Sequence, residues 1–112
     1  MEARLHPRKN IHASIRLLAD PEQQRFDTTS TNLSMSGIQI AANKELVDHL
    51  LKQQTRPIHF DILFDTYDSL PFRCRLIVNR RQSHDEFLLG CKFIQLSDEH
   101  LELLTRILDQ QA

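Results

Sequence analysis

Six short strands wrapped into an antiparallel β-barrel, with an α-helix at the C-terminus and a shorter helix near residues 44–54, is the architecture expected of this chain. Three features lead to it. Apolar residues recur at every second position in several separate stretches, the period of a half-buried strand. Two other stretches carry apolar residues three and four apart, the period of an amphipathic helix. There is no strand-helix-strand alternation and no internal repeat, so the strands have to pair through hairpin-like links.

Taken in order, residues 1–10 have no periodicity, contain Pro7 and carry Arg4, Arg8 and Lys9 against a single Glu2, which reads as a loose basic arm. Ile11, Ala13, Ile15 and Leu17 alternate with His12, Ser14 and Arg16 as a first strand, stopped by Asp20-Pro21. Residues 25–31 are rich in β-branched Thr and read as a second strand, and residues 37–42 as a third. Asn43 then stands as an N-cap before Leu46, Val47, Leu50 and Leu51 at helical spacing. Ile58, Phe60, Ile62 and Phe64 form a fourth strand with Leu63 on its other face, followed by a turn over residues 65–69. In a fifth strand Phe72, Cys74, Leu76 and Val78 point inward, and Arg73 and Arg75 outward. Residues 87–96 are apolar on both faces apart from Lys92 and Gln95, as in a central strand. Ser97 caps a final helix with Asp98 and Glu99 in its first turn and a stripe of Leu101, Leu103, Leu104, Ile107 and Leu108.

The chain has 112 residues, enough for one modest core, and is divided here into an arm at 1–10 and a barrel domain at 11–112. With a net charge of -1 it has no overall attraction for nucleic acid or anionic membrane, so an anionic ligand has to be caught by a local cluster. No apolar run approaches the roughly 20 residues of a membrane span and no secretory signal is visible, so a cytoplasmic location without membrane insertion is expected. Cys74 and Cys91 are far apart in sequence and each falls on the apolar side of a strand-like alternation, so they read as reduced, buried thiols, and without an export signal the glycosylation reading of Asn32-Leu33-Ser34 fails.

The stretch Asn32-Leu33-Ser34-Met35-Ser36-Gly37 has the composition of a binding surface. Asn and Ser offer hydrogen-bonding groups on short stems, and Gly37 permits a sharp turn or the close approach of a ligand. Upstream lies a pair of arginines in Arg4-Leu5-His6-Pro7-Arg8, and downstream Gly90-Cys91-Lys92-Phe93 precedes the acid-capped helix. These elements, in this order, resemble the PilZ domain, and the resemblance covers essentially the whole chain. It implies a six-stranded antiparallel PilZ-like β-barrel that binds the bacterial second messenger cyclic di-GMP. By motif, Arg4, Arg8, Asn32, Ser34 and Gly37 correspond to the ligand-binding residues. His6, Ser36, Asn79 and Arg80 form a second tier of candidates, and Arg73, Arg75 and Arg81 extend the basic rim. Residues 43–54 depart from the family by reading as more helical than the usual link between strands.

The chemistry of the residues suits that ligand. Guanidinium grips phosphate oxygens, or the O6/N7 edge of guanine, through paired hydrogen bonds, and it stacks on purines. If the arm is loose when empty, binding orders it against the barrel, and that ordering is the expected switch. The expected function is therefore a noncatalytic receptor, needing no cofactor beyond its ligand, which acts on a separate protein partner to control a motility, exopolysaccharide or biofilm output. The alternative is an adaptor on the same fold, of the type IV pilus biogenesis kind, that does not bind the nucleotide. DNA and RNA are not expected partners, because single-strand binders need aromatic platforms and a basic groove, and the chain has one Tyr, no Trp and a slightly negative total charge. No nucleophile-base pair or phosphate loop supports an enzyme, and the six histidines lack metal-ligand spacing. A monomer or weak homodimer is expected, the terminal helix leaving part of its stripe for pairing.

Overall fold

A computed structural model describes residues 8–19 and 23–110. Six strands form a closed antiparallel barrel in the order β1-β2-β3-β6-β5-β4. They are β1 (Ser14–Ala19), β2 (Gln24–Leu33), β3 (Gly37–Ala42), β4 (His59–Phe64), β5 (Tyr67–Arg81) and β6 (Phe87–Ile94), with helices α1 (Lys44–Leu51) and α2 (Asp98–Gln110). The expected six-stranded barrel with two helices is the observed fold.

Alternation builds the core. Ile15, Leu17 and Ala19 of β1 point inward, as do Phe60, Ile62 and Phe64 of β4 and Leu89, Cys91 and Phe93 of β6. The two helices plug opposite ends. Asn43 caps α1 by accepting the Leu46 amide at 2.9 Å, and the helix turns Leu46, Val47 and Leu50 into the barrel mouth beside Ala19. At the other end α2 buries Leu103, Leu104, Ile107 and Leu108. Its start is tied by a reciprocal cap: the Ser97 hydroxyl accepts the His100 amide at 3.3 Å, while His100 Nδ1 accepts the Ser97 amide at 3.0 Å. That leaves the His100 proton on Nε2, which donates to the Pro71 carbonyl at 2.8 Å and so fastens the helix to β5.

Four sequence expectations change. Leu51, set with Leu46, Val47 and Leu50 on the apolar spacing of α1, is 47% exposed at the last residue of the helix. Leu101 is 38% exposed, because the inward face of α2 is set by Leu103 and Leu104, leaving Leu101 at its margin. The turn between β4 and β5 is confined to residues 65–66, and β5 already begins at Tyr67. Val78 does not point inward but is 44% exposed. The cause is a β-bulge between Leu76 and Val78, where Leu76 faces Cys91 and Val78 faces Gly90, so β5 has one residue more than β6 and its alternation changes phase. Cys74 and Cys91 are free and buried, as expected. No helix among the described residues is long and apolar enough to cross a membrane.

Candidate functional site

Strands β3, β6 and β5 lie side by side, and their outward residues line one face of the barrel. Gly37 faces Lys92, which faces Arg75, so the three strands put a gap and two cations in one row. Beyond the bulge Val78 faces Gly90 and Arg80 faces Leu88, which puts Arg80 on the same outer face as Arg75. Without the extra residue, Asn79 and Arg81 would have held that place. A cavity of about 530 Å³ opens on this face, lined by Arg8, Arg75, Arg80 and Lys92 together with Ser36, Gly37 and Gln39. Among the described residues no acidic side chain lines it, so the four described cations together favour an anion.

Arg8 reaches the cavity because the next residue is anchored. Lys9 forms a two-way backbone bridge with Leu33, each hydrogen bond 2.9 Å long, and its ammonium group donates to the Leu108 carbonyl at the end of α2 at 3.3 Å. A cation on the last carbonyls of a helix is favourable both as a hydrogen bond and against the helix dipole. Arg8 is thus held next to the strand that leads into the polar hexapeptide.

Within the hexapeptide the residues divide their work. Ser34 is 2% exposed, and its hydroxyl accepts the amides of Ser36 and Gly37, both at 3.2 Å. Its own amide donates to the Gly37 carbonyl at 2.9 Å. Ser34 therefore shapes the β2–β3 turn from beneath, and Ser36 and Gly37 are the residues that border the cavity. Gly37 is needed for close strand contact: a β-carbon there would overlap the carbonyl oxygen of Cys91. Asn32 sits beside a bulge at Thr31, and its side chain donates to Gln39 Oε1 at 3.1 Å, the same oxygen that accepts from the Thr31 hydroxyl at 2.8 Å. With both bonds on Oε1, Gln39 is oriented by Thr31 and Asn32.

Of the candidates read from the sequence, Arg8, Ser36, Gly37 and Arg80 border the cavity, while Asn32 and Ser34 brace it from the side and below. Asn79 faces buried Leu89 and does not line the cavity. Arg4 and His6 lie outside the described residues. Arg73 is paired with Asp61 at 3.2 Å, and Arg81 donates to the Ser83 and His84 carbonyls, so both are committed elsewhere. Gln39 and Lys92 are the lining residues with polar chemistry that sequence reading passed over as site members, and Arg75, read from the sequence only as an extension of the basic rim, also lines the cavity. For Gln39 a signal existed, since it is the polar residue between inward Ile38 and Ile40 just after the hexapeptide.

A family model described as PilZ domain matches residues 2–110. Among solved structures, the chain is similar to the Bacillus subtilis inhibitor of motility MotI/DgrA, with a TM-score of 0.71 and 10% identity over 99% of this chain and 52% of that one. It is similar to MrkH of K. pneumonia in complex with c-di-GMP, with a TM-score of 0.71 and 12% identity over 99% and 53% of the two chains. The Borreliella burgdorferi PlzA protein in complex with c-di-GMP matches with a TM-score of 0.60 and 13% identity over 91% and 46%. The chain therefore spans about half the length of these structures. No curated protein is significantly similar to it.

Proposed function

The chain belongs to the PilZ domain family, and from that premise we propose that it is a cytosolic, noncatalytic receptor for cyclic di-GMP that passes ligand occupancy to a separate protein. One observation carries the reading: Arg8 from the N-terminal segment and Ser36 and Gly37 from the hexapeptide border one cavity whose charged side chains, among the described residues, are all cations. Two of the structurally similar proteins, MrkH and PlzA, are in complex with c-di-GMP.

The residues divide the ligand by chemistry. Arg8, Arg75, Arg80 and Lys92 meet the two phosphates and the O6/N7 edges of the guanines, the guanidinium groups in pairs of hydrogen bonds and the ammonium as a point charge. Gln39, with its Oε1 held by Thr31 and Asn32, presents its amide N–H groups to acceptors on the ligand. Gly90, opposite Val78, leaves a low apolar floor for a flat purine. Arg4 and His6 are assigned to the same ligand through the motif. Calorimetric titration with cyclic di-GMP tests the proposal, with cyclic di-AMP as the control for phosphate charge without the guanine edge. Saturable heat with the guanine compound alone is the expected result. No heat with either compound at micromolar concentration discards the receptor in favour of a nucleotide-free adaptor.

A further inference from the structure

The strand that supplies Val78 and Arg80 to the cavity has an open edge. β4 accompanies β5 only as far as Arg75, which faces His59, and the Ile58 carbonyl accepts the Leu76 amide at 2.9 Å. β6 continues alongside β5 to Arg81. Over residues 77–81, therefore, β5 has a strand on one side and none on the other among the described residues, and all five residues are exposed. Ile77, at 53%, is the most exposed large apolar residue described.

The bulge decides what this edge presents. Gln82 donates its amide to the Glu86 carbonyl at 2.7 Å, and by antiparallel alternation Val78 and Arg80 turn their backbone groups toward Gly90 and Leu88 in the same way. The N–H and C=O groups of Asn79 and Arg81 then face the open side, a template for another strand. The sequence along the edge, Ile-Val-Asn-Arg-Arg, is apolar at one end and cationic at the other. Antiparallel pairing of this edge with itself about Asn79 sets Val78 opposite Arg80 of the second copy and Ile77 opposite Arg81. The aliphatic stem of Arg80, which makes none of the side-chain bonds that hold Arg81, then covers Val78, and no arginine faces another directly.

Charge opposes this pairing when the cavity is empty. Each copy carries Arg8, Arg75, Arg80 and Lys92 around a cavity bordered by the same Val78, so pairing brings two uncompensated cation clusters together. A ligand with two phosphates in each cavity halves the formal charge of each cluster and so weakens that repulsion. We propose that the β5 edge at residues 77–81 docks a second copy of this chain, and that an anionic ligand in the adjoining cavity promotes the pairing, each copy adding its Arg80 to the rim of the other's site. By reciprocity, the dimer holds the ligand more tightly than the monomer does. The ligand-dependent part rests on the nucleotide reading above; the pairing itself does not.

Sedimentation velocity over a concentration series tests both parts. Wild-type chain at low salt is expected to be monomeric without nucleotide, with a dimer dissociation constant at least about tenfold lower with saturating cyclic di-GMP. Salt at about 0.5 M, where the Debye length is roughly 4 Å, substitutes for the ligand by screening and is expected to favour the dimer as well. Asn79→Pro removes an edge N–H that does not serve β6, and Ile77→Lys adds a charge while keeping the backbone; each is expected to stay monomeric in both conditions. A wild type that is monomeric in high salt and with bound nucleotide overturns the proposal, as do variants that dimerise like wild type. If calorimetry shows no nucleotide binding yet the high-salt dimer is lost in both variants, the docking edge stands and the receptor reading falls.

Discussion

A β-carbon on residue 37 would overlap the carbonyl oxygen of Cys91, so β3 and β6 close on each other at this point because residue 37 is glycine. The obstacle is backbone, which cannot swing aside like the end of a side chain. Gly37→Ala is therefore expected to destabilise the fold by about 1–3 kcal/mol, the usual cost of overpacking a close contact. Urea unfolding measures it; a midpoint equal to wild type would mean that the two strands part without penalty.

Ser34→Ala should act through the turn. The amides of Ser36 and Gly37 lose the buried hydroxyl that accepts them, at a cost of about 1–3 kcal/mol if no water replaces it. Thermal melts report the loss of stability. Nucleotide affinity should fall along with it, because the residues left unbraced border the cavity.

Arg8 is exposed, so Arg8→Ala is expected to leave the melting temperature unchanged while weakening cyclic di-GMP binding about tenfold to a hundredfold, the loss of one charge-assisted contact. Arg75→Ala should weaken binding similarly. Arg25→Ala removes an exposed arginine paired with Asp27 on the far part of β2, and titrates like wild type. Equal affinities across all three variants would remove the cavity from consideration as the ligand site.

His100 joins the cap of α2 to β5 through Ser97 on one ring nitrogen and Pro71 on the other, with its ring edge-on to Phe72 at 4.6 Å. His100→Ala should cost about 1–3 kcal/mol and should speed amide hydrogen exchange in α2 ahead of the barrel strands. Uniform acceleration over every element would show that the helix does not open separately.

Burial pushes the Cys74 thiol well above its ordinary range, with neighbouring Cys91 as the next cause, and burial does the same to Cys91. Both thiols should react slowly with a thiol reagent at pH 8 in the native protein and quickly in denaturant. Because the folded-state values are raised, their contribution to stability is complete below the unfolded thiol value of about 8.5 and declines as pH rises through and above it. Urea midpoints measured between pH 7 and 10 should fall over the upper part of that range, and a Cys74→Ala, Cys91→Ala double variant should show a shallower decline.

Much of the barrel was legible in the chain. The inward residues of β1, β4 and β6 follow strict alternation, and Asn43 and Ser97 mark helix starts through side chains that act within one turn. These signals are local, so their meaning does not depend on a partner strand. The two motifs pointed to residues that border or brace one cavity, but not to how each of them does so. Ser34 reads as an exposed contact and is a buried brace, and Gly37 reads as a turn or a ligand gap and answers to the Cys91 carbonyl across the sheet.

The order of polar and apolar residues was enough to determine a six-stranded barrel stoppered by two helices, because period and capping are properties of consecutive residues. Only the tertiary structure decided which side of β5 faces the cavity. A bulge is one residue too many relative to a neighbour, and nothing in Leu76-Ile77-Val78 announces it until β6 lies alongside. That single extra residue turns Val78 out of the core, carries Arg80 onto the face of Arg75 and Lys92, and sends the backbone groups of Asn79 and Arg81 to an unpaired edge.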